Sequence, residues 1–377
     1  MTIINRVILF TEHYYTSRNK AGFHWIAKAF AEKSNIVTFV TTPISIVNLI
    51  KKDYLKFDIK KLNKLKNIDK NIKEFYLFSF MHPFEIDSKN EIINHIIKLF
   101  MPIIRKIYVY SYLNNQIKEE IRNANIIIFE SSVGLLLLKR IQKYNKKAKY
   151  IYRVSDDLRF LKIDNYVRKS EKLISKKFDI ISIPSEYVYK KFKTYNLTNI
   201  WLQKHCIQKE IFDKCKKNPY KNALKKNAIF IGMSHLDYQF IEIASKQFPN
   251  IDFHIIGPFE KECKNINIIY HGLLKFDETI GFIKYADIGL ATRSNEKHVG
   301  MLSDSLKIIQ YEYCKIPIIM PDIIKKAGNY VFKYKYGDKK SIIEAVKFAL
   351  KAKNNSNLKF PLVQSWSELV ESWINGV

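Results

Sequence analysis

The sequence predicts an α/β protein built from two Rossmann-like domains. Three observations carry this. Short apolar runs alternate with helix-compatible segments from Arg6 to Phe192, the pattern of strands and helices layered on a parallel sheet. An aperiodic, lysine-rich stretch from Trp201 to Asn227, containing Pro219, then reads as a linker, and the alternation restarts at Ala228. The length of 377 residues with 47% hydrophobic content suits two separate cores. Residues 1–205 are expected to form the first domain, 206–360 the second, and 361–377 a terminal helical segment.

Taken in order, Arg6–Phe10 (RVILF) is a strand, TEHYYTSRNKAG a polar loop, Phe23 to Lys33 a helix and Ile36–Val40 a buried strand. The loop lacks G-x-G-x-x-G, its only glycine being Gly22, which argues against a dinucleotide there. His13, Tyr14, Tyr15, Arg18 and Lys20 are its candidate contacts to a polar or sugar-like group, although a solvated loop needs no such role. Ile46–Lys73 and Glu91–Tyr110 mix lysine with isoleucine and leucine, the texture of surface helices or of segments lying on an anionic bilayer. Asn125–Phe129 is a strand ending in Glu130, Ser131 and Ser132; Lys149–Val154 is another, ending in Ser155, Asp156 and Asp157. Ligands of open α/β sheets collect at the carboxyl ends of strands. An aspartate there can serve as a general base or as the cap of the next helix. Ile180–Pro184 leads into one more helix.

In the second half, Ala228–Ile231 runs into GMSHLD, Phe253–Ile256 into Gly257 and Pro258, Ile266–Tyr270 into His271 and Gly272, and Ile288–Leu290 into ATRSNEK. Each exit is small or polar. Ser303–Pro317 (SDSLKIIQYEYCKIP) reads as loop, helix and strand. A helix start offers free N–H groups and a positive dipole end. Lys307 adds a cation, and Gln310 lies one turn further on the same face. Donors, cation and amide suit a phosphate followed by a ribose; an ordinary amphipathic helix has the same pattern. The final helix, Pro361 to Asn375, places Trp366 and Trp373 on one face, with Gly376 as its stop.

The formal net charge is +28. It points to an anionic partner, but abundant Lys, Ile, Asn and Tyr with scarce Gly also fit an AT-rich genome, so only part of the charge is assigned to function. Cys206, Cys215, Cys263 and Cys314 form no C-x-x-C pair, as expected of a reduced cytosolic protein without a zinc site. The first apolar run is too short for a signal peptide, and the longest uncharged run, Asn35–Ile50, falls short of the ~20 apolar residues of a spanning helix.

SRNKAGFHW, RVSDDL at Arg153–Leu158, IGMSHLD at Ile231–Asp237 and SDSLKIIQYEYCKIP resemble the glucuronosyltransferase family typified by GumK, spread over nearly the whole chain. The resemblance implies a GT-B fold: two Rossmann-like domains facing a cleft, with the C-terminal helix crossing back to the N-terminal domain. It implies a UDP-sugar donor, glucuronate among the candidates, and a glycan or lipid-linked acceptor bound by the N-terminal domain in bacterial polysaccharide synthesis. Lys307 with the backbone of Ser305 and Leu306 would hold the diphosphate and Gln310 the ribose. Met233, beside Gly232, would line the donor cleft, His271 and Leu273 would flank the uracil, and Arg293 is counted with them. The base would be Asp157, with its neighbour Asp156 as the second candidate. Retaining GT-B enzymes commonly carry two carboxylates at positions that here hold Leu302 and Gln310, so an inverting reaction is expected. No cofactor or metal is expected beyond the donor itself, and the location implied is the inner face of the cell membrane, reached peripherally. A GT-B nucleotide-sugar epimerase is the alternative enzyme. A basic nucleic-acid-binding protein is the alternative outside enzymes, weakened by the lack of RRM, KH or helix-turn-helix signatures.

Overall fold

A computed structural model describes residues 6–17, 20–50, 59–86, 89–220, 224–260, 262–295, 299–353 and 357–376. The chain forms two compact units, Met1–Gln203 with Trp366–Val377, and Lys204–Ser365.

The first unit is an eight-stranded sheet. Its strands are β1 (Arg6–Thr11), β2 (Ile36–Ser45), β3 (Leu65–Asp69), β4 (Ile72–Ser79), β5 (Ile126–Glu130), β6 (Lys149–Arg153), β7 (Ile180–Ile183) and β8 (Ile200–Leu202), in the order β3-β4-β2-β1-β5-β6-β7-β8. All pairs are parallel except β3–β4. β5 (IIIFE) is buried along its whole length, as a central strand covered on both faces must be. β1 pairs with both β2 and β5, so the strand order reverses there and a crevice opens at the carboxyl ends of these strands. Side-chain oxygens of Asn90, Asn114, Asp164 and Ser185 cap the helices that follow them.

Three sequence expectations change here. The uncharged run after Asn35 is a strand that continues to Ser45, followed by a short helix, Ile46–Ile50. The basic stretch ending at Lys73 contains a β-hairpin rather than a continuous amphipathic helix. Asn71 turns the hairpin at φ 62°, and the Lys73 amine bonds Glu120 at 2.8 Å. Lys51 and Lys52 lie outside the described residues. The stretch read as a linker holds β8, a helix at Lys209–Lys214 and the start of the next sheet.

The second unit is a six-stranded parallel sheet with order β11-β10-β9-β12-β13-β14. Its strands are β9 (Lys226–Ile231), β10 (Ile251–Ile256), β11 (Ile268–Gly272), β12 (Ile288–Leu290), β13 (Ile318–Pro321) and β14 (Val331–Tyr334). Its cores lie on both sheet faces, around Phe230, Phe240 and Phe253 on one and Ile229, Ile309 and Tyr311 on the other. The terminal helix is shorter than expected, Trp366–Asn375, and joins the first unit. Trp373 meets Phe30 at 6.3 Å between ring centroids, and both tryptophans are fully buried.

Candidate active site

In the first unit the carboxyl ends of β1, β5 and β6 bring together Glu12, His13, Glu130 and Asp156. Glu130 is buried and accepts hydrogen bonds from the Thr11 hydroxyl and His13, whose Nε2 lies 3.4 Å from Oε1. Burial alone would raise its pKa, yet the bonds from His13, Thr11 and Ser155 hold it below the usual carboxylate range. Burial likewise opposes the charge on His13, but Glu130 outweighs it and raises the imidazole pKa. Glu12 and Asp156 both reach solvent while protein atoms crowd them from the other sides. Loss of hydration and then the Glu130 charge push Glu12 up to about 7. The same two causes, with Asp157 after them, raise Asp156.

Asp157 has a different setting. It is 1% exposed and caps the short helical turn Leu158–Phe160 through the Arg159 N–H. The Arg159 guanidinium grips Oδ2 at 2.9 and 2.6 Å, and the Lys191 amine reaches Oδ1 at 2.7 Å. Lys191 also pairs with Glu171 at 2.5 Å. Burial works against the Asp157 charge, but these donors win and its pKa is lowered. A carboxylate so committed is a weak proton acceptor. Of the two aspartates, the accessible one with the raised pKa is Asp156.

The other first-loop candidates divide. His13 belongs to the cluster. Lys20 turns back on its own loop, its amine bonding the Tyr15 carbonyl at 2.6 Å. Arg18 lies outside the described residues. Glu12 and the role of Glu130 escaped the sequence reading; the one signal was that each follows an apolar strand.

In the second unit, the helix Leu306–Tyr313 starts at Ser305, whose side chain makes no capping bond. Lys307 is 8% exposed and its Nζ has no hydrogen-bond partner. The ammonium sits 3.8 Å from the centre of the Phe230 ring. Burial and then the Arg293 charge hold its pKa well below the ordinary lysine value. Gly232 faces it: a Cβ there would lie 3.3 Å from Nζ and 3.0 Å from Phe230. Gly257, at φ +143°, passes so close that a Cβ would strike the Gly232 carbonyl at 2.0 Å, so both chains run as bare backbone beside the cation.

Gln310 is half-buried on the same helix, Met233 is 57% and Leu273 62% exposed, and Arg293 bridges to Leu236. His271 is bonded through Nε2 to His254 Nδ1 at 2.9 Å. Burial and then His271 push His254 down to about 4. Asp304 and Glu312, eight positions apart, face inward and share Lys326, at 3.4 and 2.7 Å. They are not free to face a ligand as a carboxylate pair. Among the described residues, no group of three or more His, Cys, Asp or Glu is placed to hold a metal ion. The second unit thus offers a buried cation and an uncapped helix start to an anion, and the first offers an accessible carboxylate to a proton.

Residues 9–184 match the family "Glucuronosyltransferase GumK, N-terminal domain". A UDP-glucuronate:glycolipid 2-beta-glucuronosyltransferase of Xanthomonas campestris pv. campestris is 26% identical over 259 residues, covering 68% of this chain and 63% of that protein. Among solved structures, Anabaena Alr3699/HepE in complex with UDP and glucose superposes with a TM-score of 0.59 at 8% identity, covering 99% of this chain and 100% of that one. The lipopolysaccharide outer core galactosyltransferase WaaB, in its apo form, gives 0.56 at 12% identity, with 99% and 100% covered. The structural likenesses carry the GT-B fold, and the sequence matches make the chain similar to the GumK glucuronosyltransferases, with residues 9–184 matching that family's N-terminal domain.

Proposed function

We propose that the chain is an inverting glycosyltransferase that moves a sugar from a UDP-sugar to a glycolipid acceptor in bacterial polysaccharide synthesis. The observation that carries this is Lys307, a buried ammonium without a hydrogen-bond partner at an uncapped helix start. Burying a cation unpaired costs several kcal/mol, and an arriving diphosphate removes that cost. Ser305, Leu306 and Gln310 extend the donor site along the helix, with Gly232, Met233, His271, Leu273 and Arg293 on neighbouring strand exits. Asp156 takes the proton of the acceptor hydroxyl as its oxygen attacks the anomeric carbon. Lys307 and the helix dipole stabilise the departing diphosphate. The positions Leu302 and Gln310, neither acidic, support inversion. The relative's name supports both a UDP-sugar donor and a glycolipid acceptor, with glucuronate as the donor sugar to test first.

The acceptor reading favours work at a membrane surface. Among the described residues no helix is long and apolar enough to cross a membrane. The helix Glu91–Val109 nonetheless exposes Ile92, Ile96, Leu99 and Ile103 along one stripe, with Ile93 and Phe100 beside it. Lys98 and Lys106 lie on the same helix, and such a face suits peripheral insertion among anionic lipids. The test of the central reading is a calorimetric titration with UDP and UDP-sugars. Micromolar-range heat with UDP and UDP-glucuronate is expected; silence with every UDP-, GDP- and CMP-sugar would overturn it.

A further inference from the structure

The first unit holds a cavity of about 330 Å³ beside the carboxyl ends of β1, β2 and β4, near the lower end of the ~300–1,000 Å³ range of small-ligand sites. Glu12, Asn48, His82 and Lys162 give its walls a carboxyl, an amide, an imidazole and an ammonium; Phe84 gives an apolar ring. We infer that this cavity seats one uncharged pyranose ring of the acceptor, a deepening of the transferase reading on which it rests.

The chemistry of the walls suits a sugar. A pyranose presents hydroxyls around its edge and an apolar face of C–H bonds. It needs mixed donors and acceptors on one side and flat carbon on the other. The polar groups are also fixed in advance. Ser45, fully buried at the end of β2, has its hydroxyl 2.7 Å from His82 Nδ1 and 3.4 Å from Asn48 Oδ1. Its backbone N–H donates to the same Asn48 oxygen at 2.9 Å. One serine therefore orients two wall residues from two separate segments, the support a preorganised site requires.

The position fits the reaction. Glu12 is both a wall of the cavity and an electrostatic neighbour of Glu130 and Asp156. Val133, another wall, turns its N–H toward the Glu12 carboxylate. Lys162 and Ile163 continue the loop that begins at Asp156. A ring in this cavity is thus bounded by the same three strand exits that carry Glu12, Glu130 and the base Asp156. The charges select against a phosphate: Glu12 faces the cavity with Glu130 and Asp156 near it, against one lysine in the wall.

Saturation-transfer NMR on the full chain with a panel of methyl hexopyranosides tests this, alongside UDP titration of the same samples. The variants are Asn48→Ala and Phe84→Ala, neither part of the donor site or the base. At least one glycoside is expected to give signal, each variant is expected to reduce it fivefold or more, and UDP affinity should stay within twofold. If Asn48→Ala fails to fold, Phe84→Leu, which keeps apolar bulk, reads the same wall. Glycoside signals unchanged by the variants, or no glycoside bound by a chain that binds UDP, would overturn the cavity assignment. A chain that binds a glycoside in a variant-sensitive way but binds no UDP keeps the cavity and loses the transferase.

Discussion

Lys307 combines two properties that rarely coincide in a structural lysine: near-complete burial and no acceptor for its amine. The Phe230 face offsets part of the lost hydration, while Arg293 adds repulsion. Replacing it should therefore have opposite effects on stability and binding. Lys307→Met is expected to hold or raise the melting temperature while weakening UDP roughly 10- to 100-fold, the effect of losing one charged hydrogen bond of about 1.5–3 kcal/mol. Unchanged UDP affinity with a lowered melting temperature would mark the residue as structural. The two aspartates separate in the same manner. Asp156→Asn should reduce turnover about 10²- to 10⁴-fold and leave the melting temperature and UDP affinity alone. Asp157→Asn should instead cost about 3–5 kcal/mol of stability, because Lys191 and Arg159 lose a buried partner. Since the folded Asp157 pKa is depressed, its contribution is present above the unfolded value and is lost as pH falls through the folded one. The difference in melting temperature between Asp157→Asn and the parent should thus narrow steadily as pH falls below the ordinary aspartate range. The sequence located the aspartate pair at a strand exit but could not say which member turns inward. That depends on Lys191, 34 positions away, and such a distance leaves no local pattern.

At the scale of elements, strands buried on both faces were legible because they read as unbroken apolar runs: β1, β5, β6 and β12 lie within about a residue of their sequence-expected limits. The β3–β4 hairpin was not legible. β3 exposes the neighbours Lys66 and Asn67 together, so it shows no period of two. The helix Glu91–Val109 was legible as amphipathic, but not the direction its apolar stripe faces. Only Met101, Ile104 and Tyr108 turn inward. Arg105, which reads as part of the basic face, is committed to Asp164 at 2.7 Å, so reversing its charge would damage the fold. The informative substitutions are Leu99→Ser with Phe100→Ser on the stripe and Lys98→Glu with Lys106→Glu beside it. In flotation with liposomes, the parent should bind only when anionic lipid is present, and less as salt is raised. The serine pair should abolish binding at any salt, and the glutamate pair should remove the salt-sensitive part, each charge contributing about 1 kcal/mol. A parent that stays unbound on anionic liposomes at low salt would refute the membrane reading and leave the donor site untouched.

At the scale of the molecule, the chain leaves the first unit after Gln203, builds the second, and returns with the helix Trp366–Asn375. The return is specified by that helix's own residues. Trp366, Leu369, Val370 and Trp373 line its buried face, and the seven-residue spacing of the tryptophans made that face readable in advance. Its target was not readable, because it comprises Gly22 and Phe30 near the start of the chain. A Cβ at Gly22 would lie 3.1 Å from the Trp366 ring. Gln203 is held from both directions, its Nε2 donating to Ser372 Oγ and its Oε1 accepting from Trp373 Nε1, each at 2.8 Å. The last twelve residues should therefore stabilise the first unit although they follow the second. Trp373→Ala removes a fully buried ring and leaves the Gln203 oxygen without that donor, a loss of about 3–5 kcal/mol. For a unit of this size, roughly 2–4 °C per kcal/mol converts this to a fall of about 6–20 °C. Scanning calorimetry can assign the change, because Tyr311→Leu removes the hydroxyl bonded to the Ile229 carbonyl in the second unit and marks that unit's transition. Trp373→Ala should move the transition that Tyr311→Leu leaves in place. If both substitutions move the same transition by similar amounts while the other stays fixed, the terminal helix does not stabilise the first unit independently of the second.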